Sequence, residues 1–355
     1  MMKILYVIPH LENKGPVTQL LTLVNTINKN DFDITIATLF QERENSLKKE
    51  YLDNGYKVLS IGDIKNPINK LSKLNKIIEE ERPDIIHSHC AFADIFVSFL
   101  HTKKPIIITL HNYMYEDIIQ QYGKFLGSII CFFEEKAIRS AAQVITCSDT
   151  LRKMYGNSFD KKIIAIPNGI DINKWSSKPS LDRKELRNAL ELPNNGVLFL
   201  STNLFIERKN PKTIIKAFEK NESNDSYLVM LGDGPLLEEC KKIANSRVIF
   251  KGKVNNVKDY LYACDTLVSA SRSEGLPYSI LEAECTGIRM ILSDIPQHHE
   301  AVHGNSCIQY FHADNISELS ILLNEKSVGV ERIVYDLSPI SDTVMSERYA
   351  STYRS

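Results

Sequence analysis

The stretch Ser271–Gly287, SRSEGLPYSILEAECTG, organises the reading of the whole chain. It carries two carboxylates, Glu274 and Glu282, with Gly275 and Pro277 just after the first. Pro277 suits the first position of a helix, where an N–H would have no intrahelical acceptor. Tyr278 to Ala283 can continue that helix, and Gly287 suits the left-handed residue that closes it. The expected picture is a glutamate in a loop, a helix N-terminus beside it, and a second glutamate one to two turns further on. The N–H groups and positive dipole end of a helix attract phosphate, and carboxylates suit sugar hydroxyls; a sugar nucleotide presents both. The plainer alternative is a loop acid followed by an amphipathic helix with Glu282 on its solvated face. The spacing alone does not separate the two.

Upstream, short apolar runs alternate with helical periodicity. Lys3–Ile8 reads as a buried parallel strand, followed by a loop Pro9–Pro16 and a helix Val17–Ile27. Further strands are expected at Asp33–Leu39, Tyr56–Ile61, Asp84–His87, Pro105–Leu110, Val144–Cys147 and Ile163–Ile166, with a helix striped by Ile68, Leu71, Leu74, Ile77 and Ile78 that ends before Pro83. After Pro167-Asn168-Gly169-Ile170-Asp171 the pattern restarts, and the polar segment Asn173–Leu181 reads as a linker. Strands at Val197–Ser201, Tyr227–Leu231, Val248–Phe250, Thr266–Ala270 and Met290–Ser293 then alternate with helices at Pro211–Phe218, Pro235–Ala244 and Val257–Ala263. This rhythm predicts α/β architecture, two doubly wound domains with mainly parallel sheets. The expected division is 1–172, 173–330, and a polar helical segment 331–355 that is a candidate to return to the first domain. Ligands of such sheets sit at strand carboxyl ends, a rule that picks out His10, Gly15, His87, His89 and His111. Two such domains facing across a cleft would hold a ligand between them.

The totals narrow the partners. At 355 residues, with 43% hydrophobic and 25% charged residues, the chain has the composition of a soluble globular protein of two domains. A net charge of −1 offers nucleic acid no clustered positive partner, and Lys48, Lys49, Lys103, Lys104, Lys161 and Lys162 read as solvated surface. Seven dispersed cysteines without a CxxC pair suggest buried free thiols in a reducing compartment. The opening MMKILYVIPH is too short an apolar run for a signal peptide, and no run reaches the roughly 18 residues of a membrane span. A cytoplasmic protein is expected, with peripheral contact at the inner face of the membrane allowed. Asp31-Phe32-Asp33 reads as the polar start of a strand, and His298-His299 stands apart from other candidate ligands, so no metal site is expected.

Taken together, KILYVIPHLENKG, DIIHSH, TLHN, PNGID, ERKNP, LGDGP, VIFKGKV, YACDTLVSAS and EGLPYSILEAECTG resemble, in order and over nearly the whole chain, the retaining GT-B glycosyltransferases of family 4. The resemblance implies two Rossmann-like domains, a nucleotide-sugar donor, expected to be UDP-linked, held by the second, and a sugar or lipid-linked glycan acceptor held by the first. It implies retention at the anomeric carbon, no metal and no resident cofactor, and a role in bacterial surface polysaccharide or glycoconjugate synthesis. Position by position, Glu282 matches the glutamate on the ribose hydroxyls and Glu274 the one facing the donor sugar. Leu276, Pro277, Tyr278 and Ser279 match the segment whose backbone approaches sugar and phosphate; Tyr278 and Ser279 can donate there, Pro277 cannot. Lys209 matches the lysine that neutralises the departing diphosphate. Val254 falls where the backbone meets the base, Gly15 in the loop near the leaving phosphate, and His111 near the reacting centre. His89 is the candidate acceptor contact. Tyr113–Phe133, with its tyrosines and apolar cluster, reads either as a packed helix or as a surface that meets such an acceptor.

Three departures stand out. Gly15 is followed by Pro16 where the family commonly has a second glycine. Thr202-Asn203 stands where a Gly-Arg pair is usual, so Asn203 takes the place of an arginine on the diphosphate. Spacing near that point is ambiguous by one residue, leaving Arg208 and Lys209 as alternatives for the phosphate cation. These departures sustain a second class of reading, a non-catalytic partner subunit on the same fold. A nucleotide-sugar epimerase is a third, disfavoured by EGLPYSILEAE and ERKNP. Acceptor-dependent release of nucleoside diphosphate separates transferase from epimerase, and nucleotide binding separates both from a subunit that has lost the donor.

Overall fold

The computed structural model describes all residues except 157–158, 160–162, 305–307 and 326–331; Lys161, Lys162 and Cys307 therefore lie outside the described residues. Two compact units result, one comprising Met1–Gly169 and Ile340–Ser355, the other Ile170–Pro339. The division thus falls at Gly169 rather than after residue 172. The reason is local: the Gly169 N–H approaches Met345 Sδ at 3.0 Å, tying the first unit's last turn to the returning helix Asp342–Arg354.

The first unit is built on seven parallel strands: β1 (Met2–Ile8), β2 (Phe32–Thr38), β3 (Lys57–Ser60), β4 (Ile85–His89), β5 (Ile106–Leu110), β6 (Gln143–Thr146) and β7 (Ile163–Ala165), in the order β3-β2-β1-β4-β5-β6-β7. Because alternate strand residues face opposite ways, β1 feeds two cores. Ile4, Tyr6 and Ile8 join Leu20, Val24, Tyr349 and Tyr353 on one side, while Leu5 and Val7 join Leu74, Ile77 and Val97 on the other. The helix expected from the 68–78 stripe spans Pro67–Glu81. Its Pro67 lacks the N–H that would go unused, Asn66 Oδ1 accepts from the N–H of Ile68 at 2.9 Å, and Arg82 closes it in the left-handed region at φ 49°.

The second unit carries β8 (Val197–Thr202), β9 (Ser226–Leu231), β10 (Val248–Gly252), β11 (Thr266–Ser269), β12 (Arg289–Ser293) and β13 (Gln309–Phe311), in the order β10-β9-β8-β11-β12-β13. Met290–Ser293 was expected to be the last strand, yet β13 pairs beyond it, with Ser293 opposite Phe311. Only Phe311 of that three-residue strand is buried, so no apolar run announced it. The expected linker contains a short helix, Ile172–Ser176, whose Asp171 side chain accepts from the N–H of Lys174. In LGDGP, Gly232 has φ 119° and a Cβ there would lie 2.2 Å from the carbonyl oxygen of Asn203. Glycine is therefore required for the loops after β8 and β9 to cross.

Six described cysteines are free, and all but Cys90 are buried. No helix among the described residues is long and apolar enough to cross a membrane.

Candidate functional site

The carboxyl ends of β8 and β11 lead into two segments that meet, Glu207–Lys209 and Ser271–Glu274. Arg272 couples them: its N–H donates to the carbonyl of Arg208 at 2.8 Å, and its guanidinium donates to the Glu207 carbonyl at 2.6 Å and to Asp314 at 2.8 Å. Asn210, left-handed at φ 52°, braces the same turn through Nδ2 to the Ala313 carbonyl at 3.0 Å and Oδ1 from Thr213 at 2.9 Å. From the other side, Ser293 Oγ at the end of β12 donates to the Ser271 carbonyl at 2.6 Å. Sequence reading missed these supports. Arg272 lay inside the quoted stretch, but its partners lie far along the chain.

So braced, the two segments bring Arg208, Lys209 and Glu274 together. Arg208 donates to Glu274 Oε2 at 2.7 Å and to the Ser273 carbonyl at 2.7 Å, while Lys209 Nζ pairs with Glu274 Oε1. Glu274 is only 4% exposed. Burial pushes its carboxyl up, but the charges of Lys209 and Arg208 outweigh that and hold it far below the usual carboxylate range. Both candidates for the phosphate cation thus reach the same acid. Two cations on one carboxylate leave the cluster with one net positive charge.

A few residues on, the helix Tyr278–Thr286 begins. Pro277 is its extended N-cap (φ −74°, ψ 117°) rather than its first helical residue, and Gly287 ends it at φ 70°. A proline preceding the helix supplies no N–H, so the first-turn donors belong to Tyr278 and Ser279. Glu282 lies a turn further along. It is half-buried, its carboxylate makes no hydrogen bond among the described residues, and burial raises that carboxyl to about 8 against a smaller opposing pull from Lys174. Leu276 is buried beneath the loop, and Val254 is half-buried after β10. Asn203 places Nδ2 3.5 Å from Ser201 Oγ.

In the first unit Gly15 opens the helix Gly15–Thr26, with Pro16 in its first turn. A Cβ at Gly15 would meet nothing within 4 Å, and its φ is not in the left-handed region, so nothing inside the protein demands glycine there. His111 follows β5, partly exposed, and its Nε2 lies 2.9 Å from His89 Nδ1. His89 itself is wholly buried, which corrects its reading as an acceptor contact: it lies beneath His111, not on a surface. Neighbouring His87 is equally buried, bonded through Nδ1 to Tyr353 Oη and through Nε2 to Thr109 Oγ1, both at 2.8 Å. Burial pushes all three imidazoles down, His87 and His111 to about 3 and His89 well below its ordinary value, so each is neutral near pH 7. Between two neutral rings one nitrogen must donate and the other accept, which fixes the tautomers of His89 and His111 relative to each other.

No group of three or more His, Cys, Asp or Glu side chains placed to hold a metal occurs among the described residues. Asp31 pairs with Arg354 at 2.7 Å, His298 is buried against the Ser293 carbonyl at 2.9 Å, and His299 bonds Asp294 at 2.6 Å.

Two parallel sheets with helices between their strands define a class, the doubly wound α/β proteins. Within that class the family is determined. The profile of Glycosyltransferase Family 4 matches residues 14–174 and that of Glycosyl transferases group 1 matches residues 182–325, and the chain belongs to this GT-B glycosyltransferase family. It is 26% identical over 302 residues, covering 78% of this chain and 73% of the relative, to the Escherichia coli UDP-Gal:alpha-D-GlcNAc-diphosphoundecaprenol alpha-1,3-galactosyltransferase. It is 27% identical over 307 residues, 80% of this chain and 77% of the relative, to the Campylobacter jejuni GalNAc-alpha-(1->4)-GalNAc-alpha-(1->3)-diNAcBac-PP-undecaprenol alpha-1,4-N-acetyl-D-galactosaminyltransferase. The fold matches Anabaena Alr3699/HepE, solved in complex with UDP and glucose, at a TM-score of 0.84 and 17% identity over the whole of both chains.

Proposed function

We propose that this glycosyltransferase moves a sugar from a nucleoside diphosphate sugar, UDP-linked, to a hydroxyl of a sugar or lipid-linked glycan acceptor, with retention and without a metal or resident cofactor, in bacterial surface polysaccharide synthesis. The observation that carries the reading is the cluster of Arg208, Lys209 and Glu274 just ahead of the helix bearing Glu282. Its surplus positive charge and the helix N-terminus suit a diphosphate, Glu282 suits the ribose hydroxyls, and Glu274, fixed from both oxygens, suits orientation of the donor sugar. Two relatives named for diphosphoundecaprenol-linked acceptors support a lipid-linked acceptor.

In the step we assign, the anomeric C–O bond to the β-phosphate breaks while the acceptor oxygen bonds the anomeric carbon from the same face. The departing phosphate, stabilised by Lys209, Arg208 and the N–H groups of Tyr278 and Ser279, takes the acceptor's proton. His111 is assigned to the sugar. Among the described residues of the first unit no carboxylate stands out as a nucleophile for a double displacement, which favours the same-face route. The test is incubation with UDP-sugars and a polyprenyl diphosphate-linked acceptor, reading acceptor-dependent UDP release and the anomeric configuration of the product, with and without chelator. Lys209→Ala is expected to lower turnover by about 10²–10³-fold, the scale for losing one transition-state charge partner; unchanged turnover would remove Lys209 from the mechanism. Absence of nucleotide binding by calorimetry would instead favour the non-catalytic subunit that Asn203 and Pro16 suggest.

A further inference from the structure

The first unit exposes a helix face of unusual chemistry. Helix Met114–Ser140 breaks direction at Gly123 (φ 77°, ψ 168°), so Lys124–Ser140 forms an arm of its own. The buried side of this arm carries Gly127, Ile130, Cys131, Glu134, Ala137 and Ile138, including a carboxyl. The outward side carries the large apolar groups: Phe125 is 82% exposed, Leu126 50%, Ile129 41% and Phe132 53%. Residues 125, 129, 132 and 136 recur at helical spacing, so these groups form one stripe. Lys124, Phe125, Ser128, Ile129 and Phe132 line a shallow depression along it.

Charge on the stripe has one sign. Lys124 stands at one end and Lys136 at the other, the latter with its ammonium 4.5 Å from the Phe132 ring centroid. The two acids of the arm do not reach this face: Glu134 is 1% exposed, and Glu135 accepts from Tyr115 Oη at 2.7 Å. Phe99, itself 51% exposed, extends the apolar surface by ring contact with Phe133, and exposed Lys103 and Lys104 follow it. An apolar stripe with basic ends and no exposed acid is the reverse of a solvated helix face, and it fits an arm lying in the headgroup region of a bilayer. The arm is roughly 25 Å long at 1.5 Å per residue, too short to cross but ample to lie flat. A second copy of the chain is a poorer occupant, because a two-fold contact would set like charges of the two stripes near each other.

We infer that Lys124–Ser140, with Phe99, Lys103 and Lys104, is a docking surface for an anionic lipid bilayer. The physical argument stands on this face alone, while its use, delivering the enzyme to a lipid-linked acceptor, rests on the proposed function. The test therefore omits donor and acceptor: the full chain is sedimented with vesicles of phosphatidylcholine alone and of phosphatidylcholine mixed with phosphatidylglycerol. Binding is expected to the anionic vesicles and to weaken with salt. Lys124→Gln and Lys136→Gln should each reduce partitioning by about fivefold, and Phe125→Ser combined with Phe132→Ser by roughly tenfold or more. Unchanged thermal unfolding of these surface variants checks that the loss is not misfolding. The inference is overturned if the chain ignores anionic vesicles, if the variants bind as well as the parent, or if they instead dissociate a lipid-free dimer. A chain that transfers sugar but does not sediment would retain the proposed function and lose this surface, and the converse result would do the opposite.

Discussion

Glu134 in the first unit and Glu274 in the second are buried to nearly the same degree, 1% and 4% exposed, yet their ionisation runs in opposite directions. Glu134 adjoins another buried acid, Asp94; burial and that neighbour push Glu134 well above the ordinary range, and burial raises Asp94 to about 7. Glu274 pays a similar desolvation cost but meets Arg208 and Lys209, and stays ionised. Burial alone therefore does not decide charge; the sign of what is buried alongside does. At this place the first unit favours neutral forms, in the acid pair and in three uncharged histidines. At Glu274 the second unit instead pairs the acid with cations and so preserves its charge, whereas Glu282, without such partners among the described residues, is raised by burial.

The sharpest way to break this contrast is Glu274→Gln. It leaves Arg208 and Lys209 as two nearly buried cations without their anion, and a loss of about 3–5 kcal/mol in unfolding free energy is expected by denaturant titration. An unchanged midpoint would mean the pair is better solvated than its geometry implies. A smaller effect is expected at Asp94→Asn. Since Asp94 is raised above its unfolded value, its contribution is full below about pH 4 and is lost as pH rises through about 7. Thermal midpoints measured across that window should fall in the parent and stay flatter in the variant, so that the variant gains on the parent between about pH 5 and pH 8. The buried histidines act in the other direction, because His87 and His111 lie below their unfolded value: stability is lost as pH falls from 6.5 toward about 3.

The smallest effect concerns His89. Replacing it with Leu removes the partner of His111 Nε2 and should lower turnover by about fivefold, the worth of one neutral hydrogen bond. His89→Asn, whose amide can reach the place of the lost Nδ1, should recover most of it. If Leu and Asn behave alike, the contact fills space and does not orient His111.

Much of the fold was legible because parallel strands buried on both faces read as continuous apolar runs. All seven strands of the first sheet were expected within a residue or two. The exception in the second sheet, β13, is short and mostly half-buried, so it leaves no such run. Strand order was not legible: β1 pairs with both β2 and β4, and no local pattern states which distant strands adjoin. At the site, Glu274 and Glu282 stood out by residue type and spacing and Arg208 and Lys209 by the family resemblance, while the contact of both cations with Glu274 was not legible. His89 was misread, because a strand-end position does not reveal what covers it.

The sequence by itself determined the chemistry available to this protein: alternating elements that build two doubly wound units, and acids, cations and a helix start in an order shared with its family. Only the tertiary structure decided which of those groups carry charge and which support others. Arg208 and Lys209 lie 66 and 65 positions before Glu274, and Arg272 is what draws their segments together. Likewise, Phe125 and Phe132 belong to a run that the sequence leaves open between a packed helix and an exposed surface, and they lie outside because the opposite side of their helix is the one that packs. Electrostatic pairing and burial act through space, and distance along a chain does not encode either one.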